Sequence, residues 1–255
     1  MFRWPPREYM TVEWGGLEFT TDPRGGDAPQ LLIRDFSGWS DGWTDSSSTA
    51  ETPGGRGVMV TERKVSPRAV SLTAYASWEA PLLQDSESLF SLIETLEDAD
   101  GDLLLVREPG IVAREASVRV ISRSITPVSR FSAVLSLTMQ ADDPLRYSAD
   151  EVALPAGRTV TLRNRGTHDS GPFVTVTGPT KAAPKVKFAG STVTAPRALT
   201  KGQVWTVDYA EGEMRVNGSL VFPMFKSWPT IARGGSASCM VSEGVASVKR
   251  VSAWR

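Results

Sequence analysis

From Val70 to Trp78 the chain reads Val-Ser-Leu-Thr-Ala-Tyr-Ala-Ser-Trp, and the side chains sort strictly by parity. Val70, Leu72, Ala74, Ala76 and Trp78 fall on one face, and Ser71, Thr73, Tyr75 and Ser77 on the other. A period of two is the mark of a strand with one face buried, and it excludes a helix here. The same alternation returns in Phe131 to Met139, where Phe131, Ala133, Leu135, Leu137 and Met139 oppose Ser132, Val134, Ser136 and Thr138. With Ser117 to Ile125 before it, that run reads as a hairpin. Tyr9 to Phe19 is a strand, a Gly15-Gly16 turn and a second strand, while Leu31–Ile33 and Leu103–Val106 read as short buried strands.

One segment has helical spacing. Leu89, Ile93 and Leu96 stand at i, i+4 and i+7 with Leu92 beside them, which predicts a helix over about 86–99. Asp85 or Ser86 suits its start, and Asp100-Gly101 its end. Between Phe36 and Gly57 the sequence turns polar and Gly-rich and carries Trp39 and Trp43. This reads as a long loop, and long loops in compact domains are commonly functional. Two readings of its indoles stand side by side: a contact surface for another subunit, or a cap folded back on the domain's own core.

At Gln140–Glu151 regular structure should stop, because Pro144 has no amide proton and biases Asp143 away from helical angles. The charge balance also reverses there. Residues 1–150 hold 14 Lys+Arg and 23 Asp+Glu, a net of 14 − 23 = −9, and residues 151–255 hold 14 and 6, a net of 14 − 6 = +8. The seam predicts two domains, 1–147 and 148–255. Beyond it come only short strands, Val160–Leu162, Phe173–Thr177, Lys185–Phe188, Gln203–Asp208 and Glu213–Asn217, separated by turn signals such as Ala189-Gly190 and Asn217-Gly218. The fold class expected is mainly β: an N-terminal α+β domain, a β-sandwich with one helix, followed by an all-β sandwich.

Several chemistries find no support. Cys239 is the single cysteine, so no disulfide or cysteine-based zinc site forms within the chain. The single histidine, His168, sits in a turn beside Asp169 and Ser170, and three consecutive side chains fan apart rather than converge as a triad must. Asp98-Ala-Asp-Gly-Asp102 fails as a calcium loop, since Leu103 stands where glycine is needed and Pro109 where glutamate is. No spacing nominates the carboxylate pair of a glycosidase. No catalytic, cofactor or metal site is therefore expected. No apolar run approaches the ~18–20 residues of a membrane span, and the N-terminal residues lack a secretory h-region. The expectation is a soluble product of a reducing compartment without membrane insertion.

The order of features resembles the distal tail proteins of long, non-contractile-tailed bacteriophages, especially those of actinobacteria. The residues that carry the likeness are Ala141-Asp-Asp-Pro-Leu-Arg-Tyr147 at the junction and the Asn164–Pro179 hairpin. They continue with Pro184–Phe188, Trp205–Asp208, Val216-Asn-Gly218, Trp228-Pro229, Ala232–Gly235 and the closing Ser252–Arg255. The resemblance implies a ring, hexameric in such proteins, built by the N-terminal domains, with galectin-like or jelly-roll C-terminal domains projecting outward. The ring would join the tail tube, near the tape-measure protein, to the tail hub, its associated proteins and the receptor-binding fibres. DNA would only pass through its channel. An acidic ring would repel phosphate and let DNA slide. The alternative implied by the galectin-like half is a carbohydrate-binding module at the host envelope. Its candidate stacking residues are Trp205 and Trp228, but Trp205 lies within a strand and Trp228 precedes a proline, which favours core or corner packing for both.

Overall fold

The computed structural model describes residues 9–22, 30–41, 45–51, 58–77, 87–129, 132–221 and 228–255. Of 30, 45–51, 58–65 and 87–92 it describes the backbone alone. Two compact units divide the chain, Met1–Pro144 and Leu145–Arg255. The protein is mainly β.

Unit 1 opens with β1 (Thr11–Trp14), β2 (Leu17–Thr20) and β3 (Gln30–Ser37), then β4 (Asp45–Glu51), β5 (Val58–Val65) and β6 (Arg68–Ser77). The helix α1 (Glu87–Asp98) leads to β7 (Leu103–Arg107), β8 (Arg114–Ser117), β9 (Arg119–Ser129) and β10 (Ser132–Ala141). Within the unit the ladder order is β8-β7-β1-β2-β3-β6-β10-β9. Its pairings are antiparallel except β2 with β3, which meet in parallel at Thr20 and Leu32. The alternation seen in sequence is the burial pattern. Val70, Leu72, Ala74 and Ala76 of β6 face the core with Leu135, Leu137 and Met139 of β10. Trp78, Phe131 and Trp43 lie outside the described residues. So do the side chains of Leu89 and Leu92, and α1 is known to touch the core through Leu96.

Two expectations need correction. Part of the long loop over Phe36–Gly57 is strand: β3 runs to Ser37, and Asp45–Glu51 pairs along its length with β5. A Ser/Thr-rich strand has no apolar period to betray it, and here the partner strand, not side-chain burial, supplies its hydrogen bonds. In β7 only Leu104 and Val106 are buried, whereas Leu103 is exposed, because the strand covers the core on one face alone.

The C-terminus of α1 lacks a basic residue in its last turn. The cation arrives from β9 instead. Arg123 Nη1 donates to the carbonyls of Leu96 (3.0 Å) and Glu97, and Nη2 to that of Ala99. These are the orphan acceptors and the negative end of the helix dipole. The same guanidinium lies 5.2 Å from the Trp14 ring, whose Nε1 donates to Gly101 O at 2.8 Å.

Unit 2 contains β11 (Arg146–Ser148), β12 (Val152–Leu154), β13 (Thr159–Arg163), β14 (Phe173–Thr177), β15 (Lys185–Phe188) and β16 (Ser191–Thr194). It continues through β17 (Val204–Asp208), β18 (Glu213–Val216), β19 (Ser219–Val221), β20 (Ser236–Val241), β21 (Val245–Lys249) and β22 (Ala253–Trp254). A six-stranded sheet, β12-β21-β14-β17-β18-β19, and a four-stranded sheet, β13-β20-β15-β16, enclose one apolar core, and all their pairings are antiparallel. β22 returns to pair with β11. Ala189-Gly190 and Asn217-Gly218 have the positive φ pairs of two-residue hairpin turns, at 47° and 87° and at 48° and 79°.

Candidate functional site

The polar segment around Trp39 is organised by a buried arginine. Arg68 begins β6, and its Nη1 donates to the carbonyls of Gly38 (3.0 Å), Trp39 (2.9 Å) and Asp41 (3.1 Å) while Nε reaches Pro144 O at 3.2 Å. Asp41 closes the turn by accepting from Gly38 N at 2.8 Å. Gly38 sits at φ +80°, and a Cβ there would lie 1.9 Å from Ala69 O, so no other residue fits. The clamp drives Trp39 inward: it is 2% exposed and packs on Phe36 with ring centroids 6.2 Å apart. Trp39 is thus a cap on its own core and not the exposed ring its polar neighbours suggest. Burial leaves the indole almost no surface to offer another subunit.

The His168 turn is equally structural. Asp169 accepts from Arg233 N at 3.0 Å, Ser170 Oγ donates to Arg250 O at 2.5 Å, and His168 N donates to Ala253 O at 3.1 Å. Three consecutive residues hold three separate backbone groups. Buried Asn164 completes the knot by donating to His168 O (2.7 Å) and Ile231 O (3.0 Å). Among the described residues no group of three or more His, Cys, Asp or Glu is placed to hold a metal ion.

The two candidate sugar-stacking indoles differ in burial. Trp205, in the middle of β17, is fully buried, and Trp228 rests edge-on against Tyr209 at 5.5 Å and 80°. An open hollow of about 410 Å3 lies against Leu17, Leu103 and Leu105, with Glu13 and Glu18 opposed across β1 and β2. Glu13 is engaged by Arg107 and Glu18 is exposed, so the pair lacks the enclosed, facing arrangement of a glycosidase.

Cys239 lies in the unit 2 core, where burial pushes its thiol from 9.0 up to about 11. Burial also raises the Tyr209 phenol, with Cys239 adding to the effect. A raised acid binds more protons folded than unfolded, so its contribution is intact below pH 9.0 and is lost as pH climbs towards about 11. Denaturant midpoints of unit 2 should be flat between pH 7 and 8.5 and decline steadily through pH 10.5. A flat profile throughout would show that neither group is buried as described.

The feature with the most to offer a partner is β9. It ends the unit 1 ladder, is 11 residues long, and leaves the apolar side chains of Ile121 and Val128 exposed. An open edge of that length exposes a row of unpaired amides and carbonyls, which natural sheets ordinarily blunt. Pro127 removes one donor near its end and leaves the stretch before it open.

No protein-family model matches the sequence, and no curated relative matches it. Solved structures do. The Dit protein of phage SPP1, described as a paradigm of the hub adsorption apparatus in phages infecting Gram-positive bacteria, aligns with a TM-score of 0.53 and 13% identity over 94% of this chain and 97% of that one. A chain of the phage P2 baseplate in its activated conformation with calcium aligns at 0.55 and 8% identity over 95% and 97%. The strontium form aligns at 0.53 and 9% over 95% and 97%. The chain has a Dit-like fold. Coverage of 94–95% of the chain takes in most of both units, so the likeness is not confined to one sandwich.

Proposed function

We propose that this protein is a structural component of a phage tail tip, a distal tail ring. The ring joins the tail tube, beside the tape-measure protein, to the hub, its associated proteins and the receptor-binding fibres. The observation that carries this reading is the end-to-end match, 94–97% of both chains, to a phage adsorption hub protein despite 13% identity. A shared two-unit architecture at that identity supports a shared mechanical task better than a shared ligand. In this reading 1–147 forms the ring, 148–255 is a galectin-like domain facing outward, and the phage is of the actinobacterial kind. The assembly is a hexamer whose acidic inner half lets DNA pass. No catalytic role is proposed.

The open edge of β9 suits such a ring. One edge meeting a different surface on the next copy is a heterologous contact, and repetition of that contact closes a ring. Light scattering on the full-length chain, with negative-stain images of the same peak, tests both ideas. Six-fold rings are the expected result, and Ile121→Lys with Val128→Lys should reduce the assembly to monomer. Rings that survive the double substitution would remove β9 from the interface. A wild-type chain that stays monomeric with and without tail-tube protein would overturn the ring itself.

A further inference from the structure

The positive charge of unit 2 is unevenly placed. Its described ion pairs, Arg215–Glu213, Lys249–Glu151 and Arg250–Asp208, all belong to the six-stranded sheet or its immediate ends. The four-stranded sheet is different. β13, β15, β16 and β20 contain no Asp or Glu. Their outward residues are exposed Lys185, Lys187 and Arg163, a half-buried Met240, and hydroxyls throughout. Register places them together: Thr159, Met240, Lys187 and Thr192 form one row across all four strands, and Lys185 stands opposite Thr194 in the next. Thr161 opposite Ser238 continues the hydroxyl surface. Glu243, which follows β20, has its carboxylate on the amides of Lys181 (2.7 Å) and Ala182 (3.2 Å), and among the described residues no ion pair is formed by Lys185 or Lys187.

We infer that this face binds a flexible anionic glycan of the bacterial envelope, a polymer of sugar or polyol units joined through phosphate. Lys185 and Lys187 point the same way two residues apart, roughly 7 Å along the strand, which suits successive charges of an extended phosphodiester chain. The flanking threonines and serines match the polymer's hydroxyls. None of the outward residues is aromatic. A platform for single-stranded nucleic acid stacks bases on aromatic rings, and a site for neutral sugar stacks pyranose rings on them, so both fit this face poorly. The polyanion assignment rests on the face alone. The envelope as its source rests on the tail-tip reading.

The test uses the full-length chain and poly(glycerol phosphate) as probe, with neutral dextran and an oligothymidylate of twenty nucleotides beside it. Binding should be measurable at about 50 mM salt and weaken steeply by about 150 mM, as displacement of counterions requires. Lys185→Gln with Lys187→Gln should weaken it at least tenfold and flatten the salt dependence by about 1.4–1.8 units of log–log slope, about 0.7–0.9 for each contact. Arg215→Gln with Lys249→Gln removes the same charge from the other sheet and should change affinity less than twofold. No binding at low salt, equal losses in the two pairs, or tighter binding of the oligothymidylate would each overturn the inference. Light scattering on the same samples separates it from the ring proposal. Rings without polymer binding sink this inference alone, and polymer binding by an obligate monomer sinks the ring alone.

Discussion

Arg68→Met should lower the stability of unit 1 by about 1–3 kcal/mol, the cost of leaving a buried acceptor unmade. The guanidinium holds four carbonyls, those of Gly38, Trp39, Asp41 and Pro144; that of Trp39 is buried, whereas the other three belong to half-buried or exposed residues that water can reach. Each buried acceptor left unmade costs about 1–3 kcal/mol. Against this, the group is itself costly to bury: desolvation lowers its pKa, and only Asp41 works the other way. Methionine recovers part of that cost by filling the apolar volume, so the loss is smaller than four broken bonds would suggest. Arg68→Lys should rescue little, because one ammonium cannot span the fork that serves both the turn at 38–41 and Pro144. The measurement is the denaturant midpoint of the unit 1 transition in the full chain. A shift equivalent to less than about 1 kcal/mol for Met would mean that the turn is held by other contacts.

Trp205→Ala should cost unit 2 about 3–5 kcal/mol, the usual price of emptying a large aromatic site in a packed core. The ring sits on β17 between Val176 of β14 and Val216 of β18, beneath a core closed by Phe188 and Tyr209. Trp228→Ala should cost less, since that ring is half-buried and meets Tyr209 by its edge. A sugar-stacking role would give the opposite pattern, with folding intact and glycan binding lost. Thermal melts of the two variants, read beside a glycan array, discriminate. A Trp205→Ala protein that melts like wild type would return the indole to the candidate binding residues.

Much of the architecture was legible wherever side-chain period and turn chemistry act locally. β14 and β15 run from the residues expected to the residues expected, and the helix differs from expectation by a residue at each end. β4 is Asp-Ser-Ser-Ser-Thr-Ala-Glu, which carries no alternation, and its conformation is set by β5 across the hairpin. Ser236–Val241 and Val245–Lys249 were not read from sequence either, although both alternate: Cys239 and Val241, and Ala246 and Val248, face the core between small or polar neighbours that make the period weak. Of the two readings open for Trp39, a polar local sequence could not choose the inward one, because it says nothing of Arg68, 29 positions away, that pulls the turn inward. The cationic sheet face was invisible for the same reason. Lys185, Thr192 and Thr159 become neighbours only through register.

The guanidinium of Arg123 belongs to the outermost strand of the ladder, yet it closes the helix and lies beneath Trp14. Docking on the outer edge of β9 would therefore tighten a strand whose side chain is already bonded to the last turn of α1. The edge, the helix end and the indole form one mechanical train. If copies dock on that edge, as the proposed ring requires, the environment of Trp14 should change and report assembly without any added label.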